Sequence, residues 1–298
     1  MTLSTPDAIR TLQRKLYTKA KQEPGFRFYA LYDKLSRADI LSHAYALVRA
    51  NKGAPGIDGQ TFEAIETQDG KEQFLACLRE ELTHKTYRAD AVRRVWIPKP
   101  DGSRRPLGIP TIRDRVVQMA AKIVIEPIFE ADFCEHAYGF RPKRSAHDAV
   151  DAVAGALLKG KRHVIDADLS KYFDTIPHAK LLAVVAERIS DAAVLGLIKQ
   201  WLKAAVVEED EDGTRRNDGG GKGNRRGTPQ GGVITPPTIL QKRGCPRGSH
   251  GVFHPKYHVH PFPIDLNRLM PWRSLPICLF SKVASASAGG VCATSRRR

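Results

Sequence analysis

Hydrophobic positions recur with helical spacing in some segments of the chain and alternate with polar positions in others. Helical spacing predicts helices over 7–22, 38–51, 111–129, 146–160, 179–189 and 191–205. Ser145 with Asp148 has the pattern of an N-cap, and Pro127 is expected to kink or end the helix over 111–129. Alternation predicts a hairpin over 91–110 that turns at 100–102. The mixture indicates an α+β fold.

Two glycine-rich stretches interrupt these patterns. Residues 51–59, "NKGAPGIDG", combine glycines with a proline, which predicts a loop. A second, polar Gly-rich segment over 212–227, "DGTRRNDGGGKGNRRG", is followed by "TPQGGVI". No repeat of fixed period is visible along the chain.

Acidic residues lie at the end of the apolar strand predicted over 162–169 and just beyond it. Alternation places Asp166 and Asp168 on the same side of this strand, and Asp174 lies in the turn beyond it. Two carboxylates this close repel each other, and a divalent cation such as Mg²⁺ relieves that repulsion through hard oxygen ligands. A structural alternative is that the acids cap the turn or pair with neighbouring Lys and Arg. An isolated pair of this kind does not decide between the two.

The overall composition favours an anionic partner. The 298 residues carry a formal net charge of +16, which indicates a nucleic acid or an anionic membrane surface. The N-terminal sequence lacks the apolar core of a signal peptide, and no apolar stretch is long enough to span a bilayer, so a cytoplasmic protein without membrane contact is expected. The five cysteines are scattered and predict neither a disulfide framework nor a zinc site.

The last 62 residues differ in composition from the rest. Residues 237–298 contain ten Lys and Arg, seven prolines and a single acid, Asp265, and show no sustained period. Two explanations fit this composition: a natural disordered basic arm, or a change of reading frame near residue 236. The change of frame is the favoured interpretation.

Five motifs occur in one order: "NKGAPGIDG", "IPKPDGSRRPLGIP", "YGFRPKRSAHDA", "DADLSKYFDTI" and "GTPQGGVI". Together they resemble the reverse transcriptases encoded by bacterial group II introns, which also act as maturases. The resemblance covers roughly residues 40–236. It implies the fingers and a partial palm of a right-hand polymerase, with the thumb absent. The implied domains are an N-terminal helical segment (1–50), fingers with an N-terminal extension motif (51–160), a partial palm (161–236) and a basic tail expected to be disordered (237–298).

The resemblance assigns the catalytic role and metal binding to the acidic turn. Asp168 matches the catalytic aspartate that binds Mg²⁺, and Leu169 offers a backbone carbonyl to the metal. In the family two Mg²⁺ ions activate the primer 3′-hydroxyl and stabilise the leaving pyrophosphate. Asp166 and Asp174 rank below Asp168: Asp166 is either a supporting charge or structural, and Asp174 fixes the turn.

The resemblance also assigns residues that bind the nucleotide. Lys99 and Arg105 match residues of the hairpin that contact the triphosphate. Phe173 matches the aromatic beneath the sugar, and Gln230 matches the glutamine beside nucleotide and template. The alternatives are a solvated basic hairpin and core packing of Phe173.

A basic segment is assigned to the nucleic acid. In "YGFRPKRS", residues 138–145, the cations Arg141, Lys143 and Arg144 stand beside aromatic residues, as in surfaces that bind template phosphates and stack on bases. The "NKGAPGIDG" segment resembles the family's N-terminal extension, which grips template and primer. A basic loop over the core and a simple turn are the structural alternatives.

The sequence departs from the family after "GTPQGGVIT". The family continues to a Tyr-x-Asp-Asp hairpin that supplies further metal-binding aspartates, whereas no Asp-Asp pair occurs in this sequence. A truncated or frame-shifted copy is therefore expected. The first hypothesis is an RNA-directed DNA polymerase that uses an intron RNA template, a DNA primer, dNTPs and Mg²⁺. The second is an RNA-binding fragment that does not polymerise, and a third is a DNA-binding or nuclease component of another mobile element.

Overall fold

The computed structural model describes residues 3–98, 100, 102–160, 165–166, 172–209, 214–221, 223–228 and 258–259. These residues divide into two compact units, one within 1–134 and 171–247 and the other within 135–170 and 248–298. Among the described residues, no helix has the length and hydropathy needed to cross a membrane.

Helices dominate the first unit. Its helices are α1 (Asp7–Gln22), α2 (Tyr32–Leu35), α3 (Ala38–Ala50), α4 (Phe62–Ala64), α5 (Lys71–Thr83), α6 (Ile112–Glu130), α8 (Tyr172–Thr175), α9 (His178–Ala186) and α10 (Ala192–Leu202), with a π-helical turn at Ile65–Asp69. The long helices α1, α3 and α6 were predicted from the hydrophobic spacing and are confirmed. Helices α9 and α10 were predicted over 179–189 and 191–205 and are also confirmed, whereas α5 and the short helices α2, α4 and α8 were not predicted.

Helix α6 forms the centre of the hydrophobic core. The side chain of Thr111 caps its N-terminus by accepting a hydrogen bond from the Asp114 N–H. Helices α1 and α3 pack against α6, which is buried on nearly every side and not only along the predicted apolar face. Pro127 neither ends nor interrupts α6, which continues to Glu130. Proline has no N–H for the carbonyl one turn earlier, and here the side chain of Gln13 donates to the Ile123 oxygen at 3.1 Å.

A buried polar network joins α6 to its surroundings. The hydroxyl of Tyr87 donates to Asp114 Oδ1 at 2.5 Å, and the N–H of Asp90 donates to Asp114 Oδ2 at 2.9 Å. Trp201 Nε1 donates to the Tyr87 oxygen at 3.1 Å. Burial raises the pKa of Asp114, although the hydrogen bond from Tyr87 opposes this shift. The network therefore contains a carboxyl group that is costly to ionise.

A four-stranded sheet carries the predicted hairpin. Strands β1 (Val92–Pro98) and β2 (Arg104–Ile109) pair antiparallel, as predicted, and the sheet order is β2-β1-β4-β5 with β4 (Val206–Glu209) parallel to β1. The polar Gly-rich segment 212–227 was given no secondary structure from the sequence, and it contains β5 (Arg215–Gly219), which pairs with β4. Strand β5 lies at the sheet edge, where a polar sequence suits a strand exposed to water.

The second unit is described by three elements. Helix α7 (Ala146–Leu158) begins with the predicted cap, in which Ser145 and Asp148 exchange side-chain to backbone hydrogen bonds. Two short strands, β3 (Ile165–Asp166) and β6 (His258–Val259), pair antiparallel. The rest of the strand predicted over 162–169 lies outside the described residues.

Candidate nucleic-acid interface

The hairpin presents different side chains on the two faces of the sheet. Successive residues of a strand point to opposite faces, and residues paired directly across two strands point to the same face. Because Ile97 pairs with Arg105, these two share a face with Arg93, four residues before Ile97. We name this surface, Arg93, Ile97 and Arg105, the Arg105 face. Arg105 and Ile97 are both exposed on it.

The Gly-rich loop, residues 51–59, lies against the Arg105 face. Arg93 Nη2 donates to the Pro55 oxygen at 2.7 Å, and Arg215 Nη2 from β5 donates to the Ile57 oxygen at 3.1 Å. Arg115 of α6 donates to the Ala54 oxygen at 2.9 Å. Three guanidinium groups thus bind carbonyl oxygens of one loop, which fixes its position beside the hairpin.

A glycine allows the loop to approach α6 closely. A Cβ atom at Gly56 would lie 2.6 Å from the Thr111 Cα and 2.7 Å from its nitrogen, closer than carbon atoms pack. The absence of a side chain is therefore required at Gly56 by contact with the start of α6. The prediction of a loop is confirmed, and the glycine serves packing as well as the turn.

The segment after Asp168 contacts the start of the "GTPQGG" motif. The N–H of Thr228 donates to the Phe173 oxygen at 2.9 Å, and His178 Nε2 donates to the Gly227 oxygen at 2.6 Å. Gly227 has a φ of +81°, and a Cβ there would lie 2.8 Å from the Asp174 oxygen. Two segments that are far apart in sequence are joined here, through main-chain atoms between Thr228 and Phe173 and through the side chain of His178.

Phe173 lies in the helical turn α8 rather than in an alternating strand. Its ring is half-buried and packs against the hydrophobic core, which agrees with the packing alternative. Asp174, in the same turn, is exposed.

The "YGFRPKRS" segment forms an irregular basic turn in the second unit. Phe140 and Lys143 have φ values of 55° and 59°, a backbone conformation that non-glycine residues adopt rarely. Arg141 Nη1 donates to the Ala137 oxygen at 2.7 Å, and the Arg144 guanidinium lies 5.5 Å from the centre of the Tyr138 ring. Lys143 and Arg144 are exposed.

The predicted site residues that the structure describes are divided between the two units. Arg105 and Phe173 belong to the first unit, and Arg141, Lys143 and Arg144 belong to the second. Four predicted residues lie outside the described part of the chain: Lys99, Asp168, Leu169 and Gln230. One exposed side chain of the hairpin, Trp96, was not predicted as a site residue. Its place two residues after Arg94 in an alternating strand is the signal that could have identified it.

The sequence that forms these elements is similar to known proteins. Residues 97–241 match the family model described as reverse transcriptase (RNA-dependent DNA polymerase). The chain contains a reverse transcriptase domain. The matched residues include β2, α6, α7 and the start of the "GTPQGG" motif.

Relatives of this reverse transcriptase domain include proteins encoded by group II introns. The chain is 40% identical over 235 residues to Protein YkfC of Escherichia coli (strain K12), covering 76% of this chain and 58% of YkfC. It is 34% identical over 213 residues to the group II intron-encoded protein LtrA of Lactococcus lactis subsp. cremoris, covering 70% of this chain and 33% of LtrA. This chain thus spans little more than half of YkfC and a third of LtrA.

A solved structure, the partial Cas6-RT-Cas1–Cas2 complex, is similar at 22% identity and a TM-score of 0.41. The similarity covers 70% of this chain and 34% of that one.

Proposed function

We propose that this reverse transcriptase domain is the fingers and part of the palm of a group II intron RNA-directed DNA polymerase. In that role it binds an intron RNA template, a DNA primer and dNTPs, and the parent enzyme also assists intron splicing. The observation that carries the proposal is the position of Arg105 on the face of the sheet to which the Gly-rich loop is bound. In this proposal the triphosphate site and the template grip share one face of the sheet.

The remaining site residues take roles consistent with this arrangement. Arg105 and Lys99 bind the triphosphate, Arg105 through its forked guanidinium and Lys99 as a point charge. Phe173 and Gln230 contact the nucleotide from the two segments joined by the Thr228–Phe173 hydrogen bond. Arg141, Lys143 and Arg144 bind phosphates of the nucleic acid.

The residues assigned to Mg²⁺ have donor atoms of the right type for one ion, but they are too few to hold two ions. Asp168 and Leu169 provide a carboxylate and a carbonyl oxygen, the hard donors that Mg²⁺ prefers. Among the described residues no group of three His, Cys, Asp or Glu side chains could hold a metal. Two-metal phosphoryl transfer needs further carboxylates, and the sequence contains no Asp-Asp pair.

The second candidate function follows from this shortage of ligands. The 298-residue polypeptide binds RNA through its basic surface without adding nucleotides. Its positive charge and arginine-rich hairpin suffice for phosphate contacts, which do not depend on a metal.

Primer extension separates the two functions. The purified chain and Asp168→Ala are each incubated with poly(rA)/oligo(dT), dTTP and either Mg²⁺ or Mn²⁺, and RNA binding is measured on the same samples. Incorporation by the wild type that is lost in Asp168→Ala supports a polymerase. RNA binding without incorporation supports the binding function, and neither activity contradicts both.

A further inference from the structure

The face of the sheet opposite Arg105 presents an exposed tryptophan. Trp96 alternates with Ile97, so it points away from the Arg105 face, and 41% of its surface is exposed. Its Nε1 donates to Glu208 Oε1 of the neighbouring strand β4 at 2.6 Å. This hydrogen bond fixes the orientation of the indole, so an incoming group meets a ring that is already in place.

Three arginines share this face of the sheet with the indole ring. The guanidinium of Arg94, two residues earlier on β1, lies 5.8 Å from the indole centre. Arg104 pairs with Pro98 and therefore shares the face, as does Arg216, which pairs with Glu208. We name these residues the Trp96 face: Arg94, Trp96, Arg104, Glu208 and Arg216. Its cations outnumber its carboxylate, which is hydrogen-bonded to the indole.

An ordered aromatic ring among arginines on a sheet is suited to single-stranded nucleic acid. A base stacks on the exposed indole, and guanidinium groups bind the flanking phosphates. The positive charge of this face complements a phosphate backbone, and the residues from 97 onward, which include β2 of the hairpin, match the reverse transcriptase family model. An apolar protein surface would offer no anionic groups to these arginines.

We propose that the Trp96 face binds single-stranded RNA, with one base stacked on Trp96 and phosphates bound by Arg94 and Arg104. This site is separate from the Arg105 face because the two sets of side chains leave opposite sides of the same strands. The proposal rests on the RNA binding proposed above and assigns it a second contact surface.

Intrinsic fluorescence tests the stacking contact directly. The sequence has Trp96, Trp201 and Trp272, and Trp201 is only 5% exposed. In a Trp272→Phe background, oligo(rA) is expected to quench Trp96 emission as the base stacks. Binding of oligo(rA) with unchanged Trp96 emission would overturn the proposal.

Affinity variants provide the matched comparison. Trp96→Ala is expected to weaken oligo(rA) binding by about tenfold and Trp96→Phe by less, because phenylalanine retains a stacking ring. Tyr29→Ala is the control, since Tyr29 is an aromatic residue 71% exposed outside the sheet, and its affinity is expected to equal the wild type. Thermal unfolding of each variant verifies that it folds.

The outcomes distinguish this proposal from the proposed function. If the wild type binds oligo(rA) and Trp96→Ala binds equally well, the Trp96 face is not an RNA site while the RNA-binding function stands. If the wild type does not bind, both fail. If Trp96→Ala loses affinity for polyglutamate but not for oligo(rA), the face binds acidic protein segments and the proposal is wrong.

Discussion

The main-chain N–H of Thr228 donates a hydrogen bond to the carbonyl oxygen of Phe173 at 2.9 Å. This bond joins the start of the "GTPQGG" motif to the segment that follows Asp168. Because both groups are in the main chain, the contact depends on backbone conformation and not on the identity of either side chain. Gly227, with its positive φ, is the residue that permits it.

Gly227→Ala is expected to lower the free energy of unfolding by about 1–2 kcal/mol or more. Alanine at a φ of +81° is strained, and its Cβ would meet the Asp174 oxygen at 2.8 Å. Urea unfolding measures the change. Gly223→Ala is the control, because a Cβ at Gly223 meets nothing within 4 Å. Equal losses in both variants would contradict the explanation.

Gly56→Ala is expected to displace the Gly-rich loop and weaken RNA binding along with stability. The new Cβ would overlap backbone atoms of Thr111, which cannot move without shifting the start of α6. Gly25→Ala, where a Cβ has open space, is expected to behave as wild type. Anisotropy with labelled RNA and thermal unfolding are measured together. Unchanged values for Gly56→Ala would show that the loop does not need this close approach.

Arg105→Ala is expected to reduce the affinity for a labelled dNTP by about tenfold or more, because it removes a charged hydrogen-bond donor for the triphosphate. Arg104→Ala is the matched control, since Arg104 is the preceding residue of β2 and points to the opposite face. A fluorescence titration with the labelled dNTP measures both. Equal losses would mean that the triphosphate is not bound on the Arg105 face.

The Asp114 network predicts a pH dependence with a defined sign. Burial raises the pKa of Asp114 above its ordinary value of 3.8, so ionisation of this group disfavours the folded state. Its contribution to stability is fully present below that ordinary value and is lost as pH rises through the raised pKa. The advantage of the wild type over Asp114→Asn in free energy of unfolding is therefore expected to be larger at about pH 4 than at about pH 7.

Urea unfolding of both proteins at the two pH values tests this prediction. Asp39→Asn is a useful comparison, because its hydrogen bond with Arg37 lowers the pKa of Asp39, the opposite shift. The advantage of the wild type over Asp39→Asn should therefore grow with pH. If the advantage of the wild type changes in the same direction with pH for both residues, the opposite pKa shifts assigned to Asp114 and Asp39 are contradicted.

Local patterns predicted much of the fold. The spacing of apolar residues was enough for α1, α3 and α6, and turn chemistry was enough for the hairpin. Strands β4 and β5 were missed. The edge strand β5, of sequence "RRNDG", has no apolar alternation, and its pairing with β4 is set by the tertiary fold. Pro127 was expected to disturb α6, yet the compensating donor Gln13 is 110 residues distant from Ile123 and local sequence cannot reveal it.

Sequence motifs and strand alternation predicted only part of the candidate site. Arg105 was identified by its motif, and its face follows from period-two alternation once the pairing with Ile97 is known. The support of the Gly-rich loop by Arg93, Arg115 and Arg215 could not be predicted, because three separate elements converge on it. The orientation of Trp96 could not be predicted either, because Glu208, which accepts its hydrogen bond, lies on a strand that the sequence did not indicate.

The affinity of the 298-residue chain for a labelled single-stranded RNA, measured against salt concentration, tests the central claim most directly. If arginines of the two sheet faces bind phosphates, log K falls linearly with log[salt], by about 0.7 for each phosphate contacted, and several contacts give a steep slope. A nearly flat plot, or no binding at about 0.05 M salt, would contradict the account.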